Sequence, residues 1–464
     1  MTTEPKMHPG IPVPPGGVRE SGGGAMNDNE LPELGAVFWP VGIGDSTTLV
    51  LGDDVVVQID LHDMDKADDD TNPEVPVVDR LVEALPTVDD RPYLSVFALT
   101  HADKDHCLGF ADLLEKATIG ELWATPRLWR EYINAPDGEG LCPDAQAFQR
   151  EAERRVAAIK AALAGGRAPA HGDRIIIIGY DTEQEQHAYS ELPAEFKSGP
   201  GHEISMVDGV DCSDRFRAFI HAPFAADCAE ERNDTSLAMQ ITLTHGSGTA
   251  GRLLLLGDLA HDTIMKIIDY SEDHDRAETL EWDVLLAAHH CSKKVMYETG
   301  TDRLLQDVLD AFERHAVDAS AVVVASSAPI PGLNHVGDNP PHRKAANRYE
   351  EIAELRCTMS WPSTDAPEPI VFLVDEHDAG MLSAQSIELA AAETATAMTP
   401  MRLGRVAAAA AVVAGDVAGW DWPGPGEPEG DDSDRPQGLE GVREAVVTDR
   451  GEPTPPQTPV TFGR

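Results

Sequence analysis

The stretch His101-Ala102-Asp103-Lys104-Asp105-His106 constrains this chain more than any other, because it packs two imidazoles and two carboxylates into six residues. It follows the apolar run Leu94-Ser95-Val96-Phe97-Ala98-Leu99, which reads as a buried strand, and precedes residues 107–116, whose apolar positions have helical spacing. A strand-to-helix turn of this kind splays its side chains into one cavity. A lone His-Asp pair would be an ordinary polar turn or helix cap. Four donors at this density can instead feed two neighbouring cations, and imidazole with carboxylate suits zinc, iron or manganese.

Four further blocks belong with it: Val41-Gly42-Ile43-Gly44-Asp45-Ser46, Val57-Gln58-Ile59-Asp60, Leu253-Leu254-Leu255-Leu256-Gly257-Asp258 and Ala288-His289-His290-Cys291-Ser292. The main run resembles the HxHxDH signature of the metallo-β-lactamase fold, in the HxDxDH form of ComEC-like hydrolases, with Asp103 in place of the second histidine. The other blocks resemble, in order, the family's VGQGDA opening, its strand ending in Asp, its LLTGD and its PHHGS. Together they span about residues 36–375.

The resemblance implies a four-layer αββα sandwich holding two cations, zinc or also manganese. His101 and Asp103 then hold the first; Asp105, His106 and one of His289 or His290 hold the second, with Asp258 shared. Which of His289 and His290 is the ligand is left open, and the other is free to meet substrate. A water between two cations loses its proton and attacks phosphorus or carbonyl carbon, so Asp105, His290 and His342 are the catalytic candidates. Asp60 either orients a ligand imidazole or caps its strand.

The chain also departs from the family. Arg232-Asn233-Asp234 stands where a third histidine for the first metal is expected, which leaves Asn233 and Asp234 as weaker substitutes and His202 and His221 as candidates to replace it. Leu61-His62 replaces a pair of glycines, with His62 expected to face solvent, and Cys291 replaces another glycine as a packed thiol or a thiolate.

Charge decides what the chain meets: 81 acidic against 36 basic residues give a formal net charge of −45. Such a field repels phosphate backbones, which argues against tight duplex DNA binding and for small anionic or ester substrates. The most basic segment, 126–165, with Arg127, Trp129, Arg130, Tyr132, Arg150, Arg154 and Arg155, reads as an insertion that forms either a lid over the substrate or paired surface helices. Six cysteines without a CxxC pair suit a reducing compartment, and no signal segment or membrane span is visible, so a cytoplasmic protein is expected. Residues 1–33 read as a disordered lead and 34–380 as the hydrolase domain. Residues 381–464 combine an alanine-rich segment with an acidic Pro/Gly-rich tail, a candidate for binding a protein partner. The expected function is hydrolysis of a phosphodiester. The rival is a metal-stabilised sensor or scaffold that acts through that C-terminal region.

Overall fold

Apolar runs without polar alternation make strands covered on both faces, and such runs set the architecture. In Arg174–Ile178, Ile175 and Ile177 pack against outer helices while Ile176 and Ile178 face a second sheet. Leu253 and Leu255 likewise face inward and Leu254 and Leu256 outward.

The computed structural model describes residues 31–52, 54–63, 75–134, 140–179, 187–224, 232–333 and 339–382, with side chains 131–134 left out. Residues 1–30 and the expected C-terminal segment from 383 onward lie outside that set. The first sheet holds β1 (Leu34–Phe38), β2 (Thr47–Leu51), β3 (Val56–Ile59), β4 (Arg91–Ala98), β5 (Thr118–Ala124), β6 (Arg174–Ile178) and β7 (Lys197–Ser198). The second holds β8 (Phe216–Ala222), β9 (Ala238–Thr244), β10 (Ala250–Leu255), β11 (Val284–Leu286), β12 (Val322–Ala325) and β13 (Glu354–Cys357). The chain returns to the first sheet with β14 (Ile370–Val374) and β15 (Ala379–Met381). Strand order is β15-β14-β1-β2-β3-β4-β5-β6-β7 in one sheet and β8 through β13 in sequence in the other. Strands β3 to β7 and β10 to β13 run parallel, so each set ends at the same edge of its sheet. The β2–β3 hairpin forms as its sequence pattern predicts, in register Val50↔Val56.

Helices α1 (Val77–Ala84), α2 (Lys104–Cys107), α3 (Phe110–Lys116), α4 (Arg127–Asn134) and α5 (Pro143–Ala164) follow the first sheet's strands. Helices α6 (His261–Asp273), α7 (Gln306–His315) and α8 (Arg343–Ile352) follow those of the second. Leu81, Phe110, Phe148 and Val156 pack on Phe97 and Leu122 outside the first sheet. Val96, Trp123 and Ile176 meet Phe216, Met239 and Val324 between the sheets. Ile264, Phe312 and Tyr349 cover Leu254, Leu285 and Val323 outside the second. Helix, sheet, sheet and helix therefore stack as a four-layer αββα sandwich.

Of the segment 126–165, read as either a lid or paired surface helices, α5 packs into the outer layer through Phe148, Ala152, Val156 and Ile159. Two of its arginines are engaged by the fold: Arg155 is buried and donates to the carbonyls of Ile119, Gly120 and Arg174, while Arg154 pairs with Glu151 and Asp173. No helix among the described residues is long and apolar enough to cross a membrane.

Candidate metal centre

The centre forms where parallel strands of both sheets end. After β3, Asp60 takes a left-handed φ of 53° while Gln58 Nε2 donates to its carbonyl at 2.6 Å. Its carboxylate is buried, accepts from Thr100 N at 2.7 Å and Thr100 Oγ1 at 2.6 Å, and meets His106 Nδ1 at 2.7 Å. Of its two sequence readings, the geometry favours the one that orients a ring: with Nδ1–H donated to Asp60, the lone pair of His106 Nε2 faces inward.

After β10, Gly257 turns the chain with φ 52°; a Cβ there would lie 2.9 Å from the Ser236 Cβ, so only glycine lets Asp258 approach. Asp258 is buried between two groups of side chains. Its Oδ1 lies 3.3 Å from His106 Nε2 and 3.4 Å from His290 Nε2. Its Oδ2 lies 3.8 Å from His101 Nε2, 3.6 Å from His289 Nε2 and 3.5 Å from Asn233 Nδ2.

After β11, His289, His290 and Cys291 have φ of 51°, 53° and 66°. Three successive left-handed residues cost about 1–2 kcal/mol each. This turn aims the two rings in different directions, with planes 89° apart. His290 Nδ1 meets the Ser326 carbonyl at 3.1 Å, leaving Nε2 to face His106 Nε2 at 3.3 Å and Asp105 Oδ2 at 3.3 Å.

Two nitrogen lone pairs facing each other at 3.3 Å repel unless a proton or cation lies between them. Donors about 2.0–2.1 Å from one tetrahedral ion sit about 3.3–3.4 Å apart, which is the spacing found among His106 Nε2, His290 Nε2 and Asp258 Oδ1, with Asp105 Oδ2 3.3 Å from His290 Nε2. Buried polar atoms without a hydrogen-bond partner point the same way: His101 Nε2 and Asp258 Oδ1. The donor set therefore fits a divalent metal cation.

Electrostatics agree. Burial opposes charge on His106, yet Asp258 and Asp60 hold it well above the ordinary imidazole range. Burial opposes charge on His290 as well, and Asp258 and Asp45 raise it. Burial works against the Asp258 carboxylate, but His290 and His106 hold it well below the usual range. Such a field attracts positive charge.

Asp45 was not singled out from the sequence. With His106, Asp258 and His290 it offers donors that all lie within 4.8 Å of one another. Its Oδ1 is 3.4 Å from His290 Nδ1, the nitrogen turned away from His106, whereas Asp105 reaches Nε2. Its signal lay in the Gly44-Asp45-Ser46 block. A Cβ on Gly44 would come within 2.6 Å of the Asp105 carbonyl, so this loop packs directly on the ligand turn.

The first group is looser. Asp103 Oδ2 is 3.6 Å from His101 Nε2, but its Oδ1 is held by Arg232 at 2.6 Å. Asn233 reaches Asp258, while Asp234 is half-buried in the adjacent turn. Two expected substitutes lie elsewhere: His202 is exposed and His221 is buried, with its Nε2 2.8 Å from the Thr279 carbonyl. His62 is turned inward, its Nδ1 2.8 Å from the Val41 carbonyl, and burial pushes it down to about 4. His342 is buried, its N–H on the Cys291 carbonyl at 3.1 Å and its Nδ1 accepting from Lys293 N at 3.3 Å. Cys291 is a packed, fully buried thiol.

His221 yields a pH prediction free of the centre. Burial depresses it to about 4, so its contribution to stability is full above about pH 6.5, its unfolded value, and is lost as pH falls towards 4. Urea unfolding should show His221→Gln losing about 2–3 kcal/mol less than wild type between pH 7.5 and 4.5. Parallel losses would mean that His221 titrates normally.

No family model matches the chain, and no curated protein matches it. Among solved structures it is similar to Igni18, a metallo hydrolase of the hyperthermophilic archaeon Ignicoccus hospitalis KIN4/I. That likeness has 11% identity over 73% of this chain and 100% of that one, with a TM-score of 0.32. It is also similar to the metallo-β-lactamase MIM-1 of Novosphingobium pentaromativorans, with 14% identity over 55% of this chain and 74% of that one, and a TM-score of 0.27.

Proposed function

We propose that the chain is a metal-dependent hydrolase of the metallo-β-lactamase type, ComEC-like in its ligand run, acting on a phosphodiester such as a small ester, a nucleotide or a single strand. The observation that carries this reading is the pair of facing Nε2 atoms of His106 and His290 beside the shared carboxylate of Asp258. His106, His290, Asp258 and Asp105 hold the tighter cation; His101, Asp103, His289 and the other Asp258 oxygen hold the weaker one. Zinc is the expected metal, with manganese as an alternative. When bound, such cations lower the pKa of a coordinated water towards neutrality and polarise the scissile group.

The remaining steps belong to the chain. Asp60 and Asp45 keep the rings of His106 and His290 in place. Asp105, whose side chain is one-third exposed, would hold the tighter cation on its solvent side; burial works against its carboxylate, but His290 and His106 hold it well below the usual range. Burial lowers His289 below the usual range, against the pull of Asp258 and aided by Lys294. That places an exposed lysine beside the centre. It gives an anionic substrate a local positive charge on a chain of net charge −45. His342, whose Nδ1 accepts from Lys293 N, would present its Nε2 to a leaving group.

The Arg232–Asp103 pair supports a second reading, a one-metal sensor or scaffold, because it withdraws one oxygen of a first-site ligand. Metal counting on the purified chain, with bis(p-nitrophenyl) phosphate hydrolysis by wild type and Asp105→Ala, separates the two. Two metals with activity falling about 10²-fold or more in the variant supports the hydrolase. One tightly held metal and equal background in both supports the scaffold.

A further inference from the structure

Two thiols beside the centre play no part in this chemistry. Cys107 closes α2 directly after His106 and is fully buried; Cys142 caps the 22-residue α5 and is partly exposed. Their Sγ atoms lie 3.4 Å apart, although 35 residues separate them in the chain. A disulfide needs about 2.05 Å, so a shift of little over an ångström closes the bond. Cys142 Sγ accepts from Ala145 N at 3.4 Å, and the single Cys107 S–H has two acceptors in reach, Cys142 Sγ at 3.4 Å and the Asp103 carbonyl at 3.1 Å.

We propose that Cys107 and Cys142 are an oxidisable thiol pair, taking hydrogen peroxide as co-reactant, and that closing their disulfide loosens the metal centre. The coupling to the centre rests on the hydrolase reading above; the thiol pair itself does not. Cys142 sulfur attacks one peroxide oxygen, the O–O bond breaks, and the departing hydroxide takes a proton to become water. Cys107 sulfur then attacks the resulting sulfenic sulfur; the S–O bond breaks and hydroxide leaves with the Cys107 proton as a second water. Each sulfur loses one electron and the peroxide gains two. Cys142 is drawn down to about 6 by its hydrogen bond from Cys107, against partial burial and with help from the Ala145 and Asp144 N–H groups, so it is the sulfur that attacks first.

The bond reaches the centre through α2. An oxidised Cys107 no longer donates to the Asp103 carbonyl, which also accepts from His106 N at 3.1 Å. Drawing Cys107 towards α5 pulls on His106, the next residue, and on its 2.7 Å contact with Asp60.

The test treats the full-length, metal-loaded chain with hydrogen peroxide, blocks remaining thiols, and maps links by mass spectrometry without reduction. A peptide joining Cys107 to Cys142 is expected, with metal released at least about 10-fold faster than from reduced protein, and dithiothreitol should reverse both. Cys142→Ser, a change at a partly exposed position, should keep its metal under the same peroxide. Separate oxidation of Cys142 without a link, or a link to another cysteine, overturns the proposal. A Cys107–Cys142 link with metal release unchanged overturns the coupling. Reduced protein that holds metal but cleaves no diester overturns the hydrolase reading alone, because the link and metal readouts still stand.

Discussion

Asp258→Asn is expected to leave the chain almost free of metal and to lower diester hydrolysis by about 10²–10³-fold or more. The amide keeps the volume of the carboxylate but removes the one negative group that faces four imidazoles at 3.3–3.8 Å. Plasma emission on gel-filtered protein reads the metal, and steady-state kinetics reads the rate. The chelated protein offers an independent check. His106 and His290 are raised by Asp258, so their contribution is full below about pH 6.5 and fades as pH rises through their folded values. Asp258 itself is lowered, so its contribution persists down to about pH 4 and is lost below it. The destabilisation by Asp258→Asn should therefore be greatest between about pH 4 and 6.5 and shrink in alkali. A variant with wild-type metal content and rate would sink the shared-carboxylate assignment.

The second large effect separates the adjacent histidines. His290→Ala should lose the tightly held metal and about 10²-fold or more of the activity, because His290 Nε2 is within 3.4 Å of His106, Asp105 and Asp258 together. His289→Ala should keep that metal and lose only the weaker one, because His289 meets Asp258 through the opposite oxygen at 3.6 Å. Isothermal titration of metal-free protein with zinc distinguishes the cases by stoichiometry. If His289→Ala removes the tighter binding event, the two roles are exchanged.

Much of this was legible in the chain because strands covered on both faces must be continuously apolar. Residues 174–178, 253–256, 284–288 and 321–325 could hardly be anything else, and polar residues at their ends mark the edge where a site forms. Asp60, Asp258 and the two ligand-rich turns were visible for that reason. Contacts with no local pattern stayed hidden. Asp45 reads as a turn residue until the fold brings it to His290, 245 positions away, and Arg232 meets Asp103 across 129 positions. The arginines of α5 were ambiguous in the sequence for the opposite reason. Counting cations left a lid or surface helices open, but Arg155 lies where carbonyls of β5 and β6 need donors, so its charge is spent inside the structure.

The placement of donors on two sheets has a mechanical consequence. Asp60, Asp105 and His106 hang from one sheet, and Asp258, His289 and His290 from the other. An ion gripped from both sides cross-links polypeptide segments roughly 150 positions apart, and its affinity appears as cohesion between the lobes, about 2.7 kcal/mol when free metal exceeds the dissociation constant 100-fold. The melting temperature should thus follow metal supply even where nothing is being cleaved, making the durability of the fold a gauge of how much cation its surroundings provide.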